Sequence, residues 1–348
     1  MLPPLRLQPI FKQRPWGGRR LAELWGKSLG GLHGWGESWE VVDLGRDQSR
    51  VIGGECDGQL LGQLVHERGA ELLGETAESG PFLLLFKFLD AAERLSVQVH
   101  PNDEQAARLA PGQHGKSEAW VIIAAEPSSE LSVGLRAGID RAALERHLAA
   151  GTVAECLYTF PARVGDVISV PAGTLHAIGA GVALAELQQP SDVTFRLFDW
   201  NRLDAHSRPR TLHIAEALEC IDFARPPAEA VSPRVLDPAA FYSAFRGPAE
   251  VTRHEELIRS EHFVWRRHRS DGARFSLPSA GQCRVLSLID GAAELSSPCG
   301  TEHLRPGDTL LIPASCASVT LQPIPRCVLL ESWSATVRCP PSLAASCR

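Results

Sequence analysis

The chain reads as a mainly β protein, two jelly-roll β-barrels in tandem with a few short helices inserted. Three observations lead there. Gly and Pro number 30 and 25 of 348 residues, so turns are frequent and long helices few. The apolar runs are short and end at turn residues. One turn–strand–turn pattern also occurs twice, around Gly165-Asp166 and around Gly307-Asp308. The regular alternation of strand and helix that a parallel α/β fold requires is absent.

Composition narrows the function. Apolar residues make up 44% and charged residues 22%, with a net charge of -6, so no basic stripe suggests a nucleic-acid partner. No apolar run reaches the length of a membrane span, and Met1 to Arg6 do not read as a signal peptide. The nine cysteines contain no C-x-x-C pair. They cluster toward the C-terminus, where a disulfide stays open, but reduced thiols in a cytoplasmic protein are the better reading.

In order, Leu21 to Trp25 reads as a helical turn and Ser38 to Val42 as a strand. Leucines at helical spacing predict a helix within Gly58 to Leu73. Pro81 to Asp90 is a strand whose lysine, Lys87, either snorkels or serves a site. In Leu95 to His100, alternation puts Ser96, Gln98 and His100 on one face and Val97 and Val99 on the other. Asn102 then caps a helix, Asp103 to Leu109. Gly115 to Ile123 is a strand with Lys116, Glu118 and Trp120 on one face. Gly138 to Leu157 is helical, with Asp140 as N-cap. Val164 to Ile178 combines a Gly-Asp turn, a buried strand, a turn at Pro171-Ala172-Gly173 and a strand opening on His176. Strands at Val182 to Gln188 and Val193 to Trp200 follow. Residues 203 to 240, around a helix at Ile214 to Cys220, bridge two domains, 1–235 and 236–348.

The last hundred residues return to short strands. Aligning Gly165-Asp166 with Gly307-Asp308 and Pro171-Ala172 with Pro313-Ala314 needs no gap, and it places Ser318 where His176 stands. The strand from Cys283 to Ile289 has no clear counterpart of Glu118. The second copy therefore reads as a structural domain without metal ligands. Paired hairpins of this kind are those of cupin-type jelly rolls.

Four polar residues point inward from strands of the first barrel: Gln98, His100, Glu118 and His176. Two imidazoles, a carboxylate and an amide oxygen suit Zn²⁺ or another first-row divalent ion. Lys87, Lys116, Arg196 and Arg202 lie in or beside apolar strands, as a phosphorylated or carboxylated substrate would require. Glu186, in an otherwise apolar strand, is either a general base with a raised pKa or the partner of Arg196 in an ion pair.

Five blocks then resemble a known family. They are Lys87-Phe88-Leu89-Asp90-Ala91, Leu95 to Asp103, Gly115-Lys116-Ser117-Glu118-Ala119-Trp120, Pro171 to Gly179, and Glu186 to Arg202. In order and spacing they are similar to the type I mannose-6-phosphate isomerases (phosphomannose isomerases), in the short bacterial form of this cupin family. Leu175 and Asn201-Arg202 depart slightly from the usual residues. The resemblance implies one Zn²⁺ per chain, held by Gln98, His100, Glu118 and His176. It implies interconversion of mannose 6-phosphate and fructose 6-phosphate through a cis-enediol, by a monomer or weak homodimer. It further implies catalytic roles for Arg196, Glu186 and Lys116, with Glu186 and a zinc-bound water as the two candidates for the base, and with Lys87, Ser96, Lys116 and Arg202 near the substrate or its phosphate. The alternatives are a sugar-phosphate-binding cupin without activity and a metal-dependent cupin oxygenase.

Overall fold

The computed structural model describes residues 1–31, 33–74, 80–203, 208–237, 252–278, 281–316 and 318–335. Two antiparallel sheets form the first barrel. One runs in the order Val167–Val170, Glu118–Ala125, Val182–Gln188, Leu85–Ala91, Ile10–Gly18, Trp35–Val41; the other runs Leu157–Pro161, Glu130–Leu135, His176–Ile178, Val97–Val99, Phe195–Phe198. Strand alternation decides what each face meets. Leu89, Trp120, Ile122, Leu131, Ile168 and Leu184 fill the space between the sheets. Val97, Val99 and Leu197 point the other way and pack with Leu144 and Leu218 of the helices Arg141–Ala150 and Ile214–Cys220. As expected, Asn102 caps Asp103–Leu109, accepting from the Gln105 N–H at 2.8 Å, and Asp140 accepts from the Ala143 N–H at 2.7 Å.

Leu85–Ala91 and Val182–Gln188 are buried on both faces, which is why they read as nearly continuous apolar runs. Their outward residues, Phe86, Phe88, Ala183, Ala185 and Leu187, enter a core shared with Trp265, Phe263 and Val285 of the C-terminal half. Trp25 stacks on Phe88 at 4.3 Å, and Trp265 meets Phe86 edge-on at 6.4 Å. Burying aromatic faces of this size contributes about 2 kcal/mol for each side chain. The two halves are therefore joined by a hydrophobic seam.

The C-terminal sheet differs from expectation in two ways. Its main strands are long: Arg284–Ser297 has 14 residues and Val319–Ser334 has 16. Register shifts around Asp290 and Gly291 bend the pair so that it serves both walls of a barrel; a sequence scan reads such bends as strand ends. The same sheet also takes in the N-terminus, because Leu5–Gln8 pairs with Thr309–Ile312, and Arg50–Ile52 with Leu5–Gln8. Local pattern cannot reveal which distant edge a short strand will join.

The predicted repeat is visible in the hydrogen bonds. Gly165 donates to Ile122 O at 2.8 Å and Gly307 to Leu288 O at 2.8 Å, while Asp166 O and Asp308 O accept from Ile122 and Leu288 at 3.0 Å each. Glu118 lies opposite Val170; Arg284 lies opposite Ile312, the repeat equivalent of Val170. A guanidinium thus stands where the first barrel has its carboxylate, and Ser318, at the position of His176, is exposed. Glu331, opposite Leu286 and Arg266, matches Glu186, which lies opposite Trp120 and Lys87. Arg284 donates to Glu331 at 3.0 Å and His268 lies 3.2 Å from it, so the charges in this barrel neutralise one another.

Each Gly-Asp turn is also clamped by the opposite half. Arg267 donates to Gly165 O at 2.9 Å, and Lys27, paired with buried Glu40 at 2.7 Å, donates to Gly307 O at 2.8 Å. Both glycines sit near φ +90°, but the surroundings differ. A Cβ at Gly307 would lie 2.5 Å from Trp25 O, whereas at Gly165 it would meet only arginine tips at 3.8 Å or more. Gly165→Ala should therefore cost about 1 kcal/mol, the strain of the left-handed backbone alone. Gly307→Ala should cost at least about twice that in chemical denaturation; equal losses would show that the Trp25 contact does not constrain the turn.

Acid should weaken the fold through its buried carboxylates. Burial alone would raise the Glu331 pKa, but the His268 hydrogen bond and the charges of His268, Arg284 and Arg266 hold it at about 2. A depressed folded-state pKa stabilises above the unfolded value and loses that contribution as pH falls toward the folded one. Unfolding free energy should decline from about pH 5 to pH 2. Glu331→Gln should be about 3 kcal/mol less stable at neutral pH and show a shallower decline.

Candidate metal centre

His100, Glu118 and His176 meet inside the first barrel, and one ligand atom from each lies within 4.8 Å of the others. Three strands supply them: His100 follows Val97–Val99, Glu118 opens Glu118–Ala125, and His176 opens His176–Ile178, with His176 directly opposite Gln98. All three are essentially inaccessible to solvent.

Hydrogen bonds set the state of the rings. His100 Nδ1 lies 2.8 Å from Val193 O, and His176 Nδ1 lies 2.9 Å from Thr174 O. A carbonyl only accepts, so each Nδ1 carries the proton and each Nε2 presents a lone pair. Those lone pairs face the two oxygens of Glu118, at 3.3 Å from His100 and 3.4 Å from His176. Bare nitrogens against an ionised carboxylate repel unless a proton or cation lies between them. A proton is the poorer choice. Burial, followed by the charge of Lys116, takes the His100 pKa down to about 3, and burial lowers that of His176. Glu118 is desolvated, yet the Lys116 ammonium leads the charges that hold its carboxyl well below the usual range. A divalent ion satisfies all three groups, and backbone carbonyls behind both imidazoles are the usual support of histidine ligands. Gln98 Nε2 lies 3.2 Å from His176 Nε2, and rotating the amide would turn its oxygen to the same point.

Charged groups surround this centre. Lys116 Nζ lies 2.9 Å from Glu118 and 3.1 Å from His100 Nε2. Lys87 does not snorkel; it is buried and pairs with Glu186 at 2.8 Å, with Glu37 at 3.8 Å. Trp120 donates its indole N–H to Glu186 at 3.1 Å. Burial raises the Glu186 pKa, and the negative charge of Glu118 adds to the rise. Desolvation opposes the charge on Lys87, but Glu186 and Glu37 raise its pKa.

The Glu186–Arg196 ion pair weighed from the sequence does not form. The two residues belong to opposite sheets, so Glu186 takes the lysine across its own ladder. Arg196 instead donates to Ser96 Oγ at 3.3 Å and Thr211 O at 2.8 Å. Arg202 holds Asp199 at 2.6 Å and Arg94 O at 2.6 Å. The sequence reading passed over Glu37. Its carboxylate accepts from Arg14 at 2.7 Å and Trp39 at 2.6 Å. Although burial would raise the Glu37 pKa, Lys87 and Arg14 bring it to about 2. The alternation of Trp35–Val41, with Glu37 and Trp39 on one face, was the signal available. The seven described cysteines are free; Cys339 and Cys347 lie outside the described residues.

Comparison with known proteins is now decisive. Mannose-6-phosphate isomerase ManA of Bacillus subtilis is 32% identical over 326 residues, 94% of this chain and 98% of that protein. This chain belongs to the type I phosphomannose isomerase family. The catalytic domain of phosphomannose isomerase type I matches residues 4–129. A mannose-6-phosphate isomerase of Streptococcus mutans is 35% identical over 318 residues, 91% of this chain and 95% of that one. The crystal structure of the Bacillus subtilis mannose 6-phosphate isomerase superposes with a TM-score of 0.85 at 28% identity, covering 95% of this chain and all of the other. The cupin-type β architecture expected from the repeated hairpins is the architecture found, and neither alternative activity is favoured by the family.

Elemental analysis should find one equivalent of divalent metal per chain, lost in His100→Ala and in Glu118→Gln. An ion present at a hundred times its dissociation constant stabilises the folded state by about 3 kcal/mol. Chelation should accordingly lower the wild-type unfolding midpoint and leave that of His100→Ala unmoved. An identical response in both proteins would remove this cluster as the metal centre.

Proposed function

We propose that the protein is a zinc-dependent mannose-6-phosphate isomerase that interconverts mannose 6-phosphate and fructose 6-phosphate. The observation that carries the reading is the closed set in one barrel: two unprotonated imidazole nitrogens and a carboxylate, with Glu186, a second carboxylate of raised pKa, within reach of their charges. The other support is the family to which the chain belongs. Gln98, His100, Glu118 and His176 would hold the ion. When bound, it supplies a positive charge that polarises the sugar carbonyl and stabilises the enediolate.

The chain's own groups do the rest. Glu186 takes the proton from C2 of the opened aldose, and the freed electron pair forms the C1–C2 double bond of a cis-enediol. Return of that proton to C1, with transfer of a hydroxyl proton from O2 to O1, completes the ketose. The Trp120 N–H and Lys87 ammonium fix the two Glu186 oxygens, so the base meets the substrate in one orientation. Lys116 and Arg196 place positive charge where the enediolate gathers negative charge. Lys87, Ser96, Lys116 and Arg202 line the approach for the sugar and its phosphate. The residues that would hold the ion and the base all come from one chain, and the working unit proposed is a monomer or weak homodimer. The free thiols suit the reducing cytoplasm.

In a coupled assay, chelation should abolish the interconversion and zinc should restore it. Glu186→Gln should lower kcat by about 10² to 10⁴ with little change in KM, as expected for loss of a general base. A metal-loaded protein that binds both sugar phosphates without interconverting them would refute the assignment.

A further inference from the structure

Three guanidiniums gather around one carboxylate at the end of Phe195–Phe198, beside the barrel interior. Asp199, 5% exposed, accepts from Arg202 at 2.6 Å and lies 3.4 Å from Arg210; Arg196 belongs to the same electrostatic cluster. Arg196 and Arg202 each have close partners. The contact of Arg210 to Asp199 is long, and the second Asp199 oxygen has no hydrogen-bond partner among the described residues. Arg210 is only about a quarter exposed. Burial, together with the charges of Arg202 and Arg14, pushes its pKa down against the pull of Asp199. Burial and the charge of Arg210 depress that of Arg196 likewise.

These groups repel one another, and one carboxylate cannot neutralise them. Three positive charges against one negative leave a surplus of two. Glu93, 3.9 Å from Arg202, is 67% exposed and screened by water. A phosphate monoester carries a charge of about -1.5 to -2 at neutral pH and accepts several charge-assisted hydrogen bonds, so it matches that surplus. A carboxylate on a sugar, with one charge, would leave half of it unmet. The location suits the reaction geometry. Arg196 lies opposite Gln98 in the ladder and donates to Ser96, so a sugar anchored here extends toward His100 and Glu118.

We propose that Arg210 is a specificity-determining residue that, with Arg202 beside Asp199, recognises the phosphate end of the substrate. This rests on the isomerase reading. Arg210 touches none of His100, Glu118, His176 or Glu186 in any recorded hydrogen bond or ion pair, so its loss should act on binding and leave the chemical step in place.

The test compares wild type with Arg210→Gln and Arg210→Lys in the zinc-loaded protein, using isomerase kinetics and calorimetric titration with inorganic phosphate. Arg210→Gln should raise KM for mannose 6-phosphate about 10- to 100-fold and change kcat by no more than about threefold. It should weaken inorganic phosphate binding by a similar factor, while Arg210→Lys, which keeps the charge, recovers part of both. Unchanged KM and phosphate affinity in Arg210→Gln would overturn the proposal. So would a fall in kcat at constant KM, or an Arg210→Lys protein as impaired as Arg210→Gln. If wild type binds phosphate through Arg210 yet interconverts no sugar, the isomerase reading fails and the phosphate site stands. If wild type is active and Arg210→Gln matches it, the reverse holds.

Discussion

The structure turns on an electrostatic conflict that protein atoms alone leave incomplete. Backbone carbonyls of Val193 and Thr174 fix the protons of His100 and His176 on the far side of each ring, so both bare nitrogens face Glu118. Burial denies the imidazoles the protons that would relieve the repulsion. Lys116 relieves one side only. The neighbouring groups are arranged around this deficit of positive charge, with Lys87 set between the carboxylates of Glu186 and Glu37. Such an assembly survives only because two apolar cores, one inside the barrel and one between the halves, hold the strands rigidly in register.

Much of this was legible in the sequence, for a physical reason. Strand alternation is a strict period of two, so Ser96, Gln98 and His100, or Lys116, Glu118 and Trp120, could be placed on one face without knowing the neighbours. The helices at Asp103–Leu109 and Leu61–Leu73 likewise follow from a cap and from leucine spacing. What could not be read was pairing at a distance. Glu186 and Arg196 are ten positions apart and both suit an ion pair, yet the chain crosses from one sheet to the other between them. Lys87, a hundred residues earlier, becomes the true partner. The N-terminal strand was missed for the same reason: its partner Thr309–Ile312 lies at the opposite end of the sequence.

The second barrel keeps the fold with a different set of charges at the equivalent positions. It keeps a buried carboxylate, Glu331, at the position of Glu186, and a cation across the ladder from it, Arg266, at the position of Lys87. At the position of Glu118 it has Arg284, which donates to Glu331 directly. A fixed guanidinium supplies the positive charge that the first barrel must take from outside. The charges at these positions thereby neutralise one another, and Ser318 stands exposed at the place of the second histidine.

The crossed clamps on the two Gly-Asp turns make the two halves mutually dependent. Arg267 of the later half grips the turn of the earlier one, and Lys27 of the earlier half grips the turn of the later. Removing either half would strip the other's turn of the side chain that holds its carbonyl. The two barrels are therefore one structural unit, although among the described residues only the first brings a His-Glu-His set together.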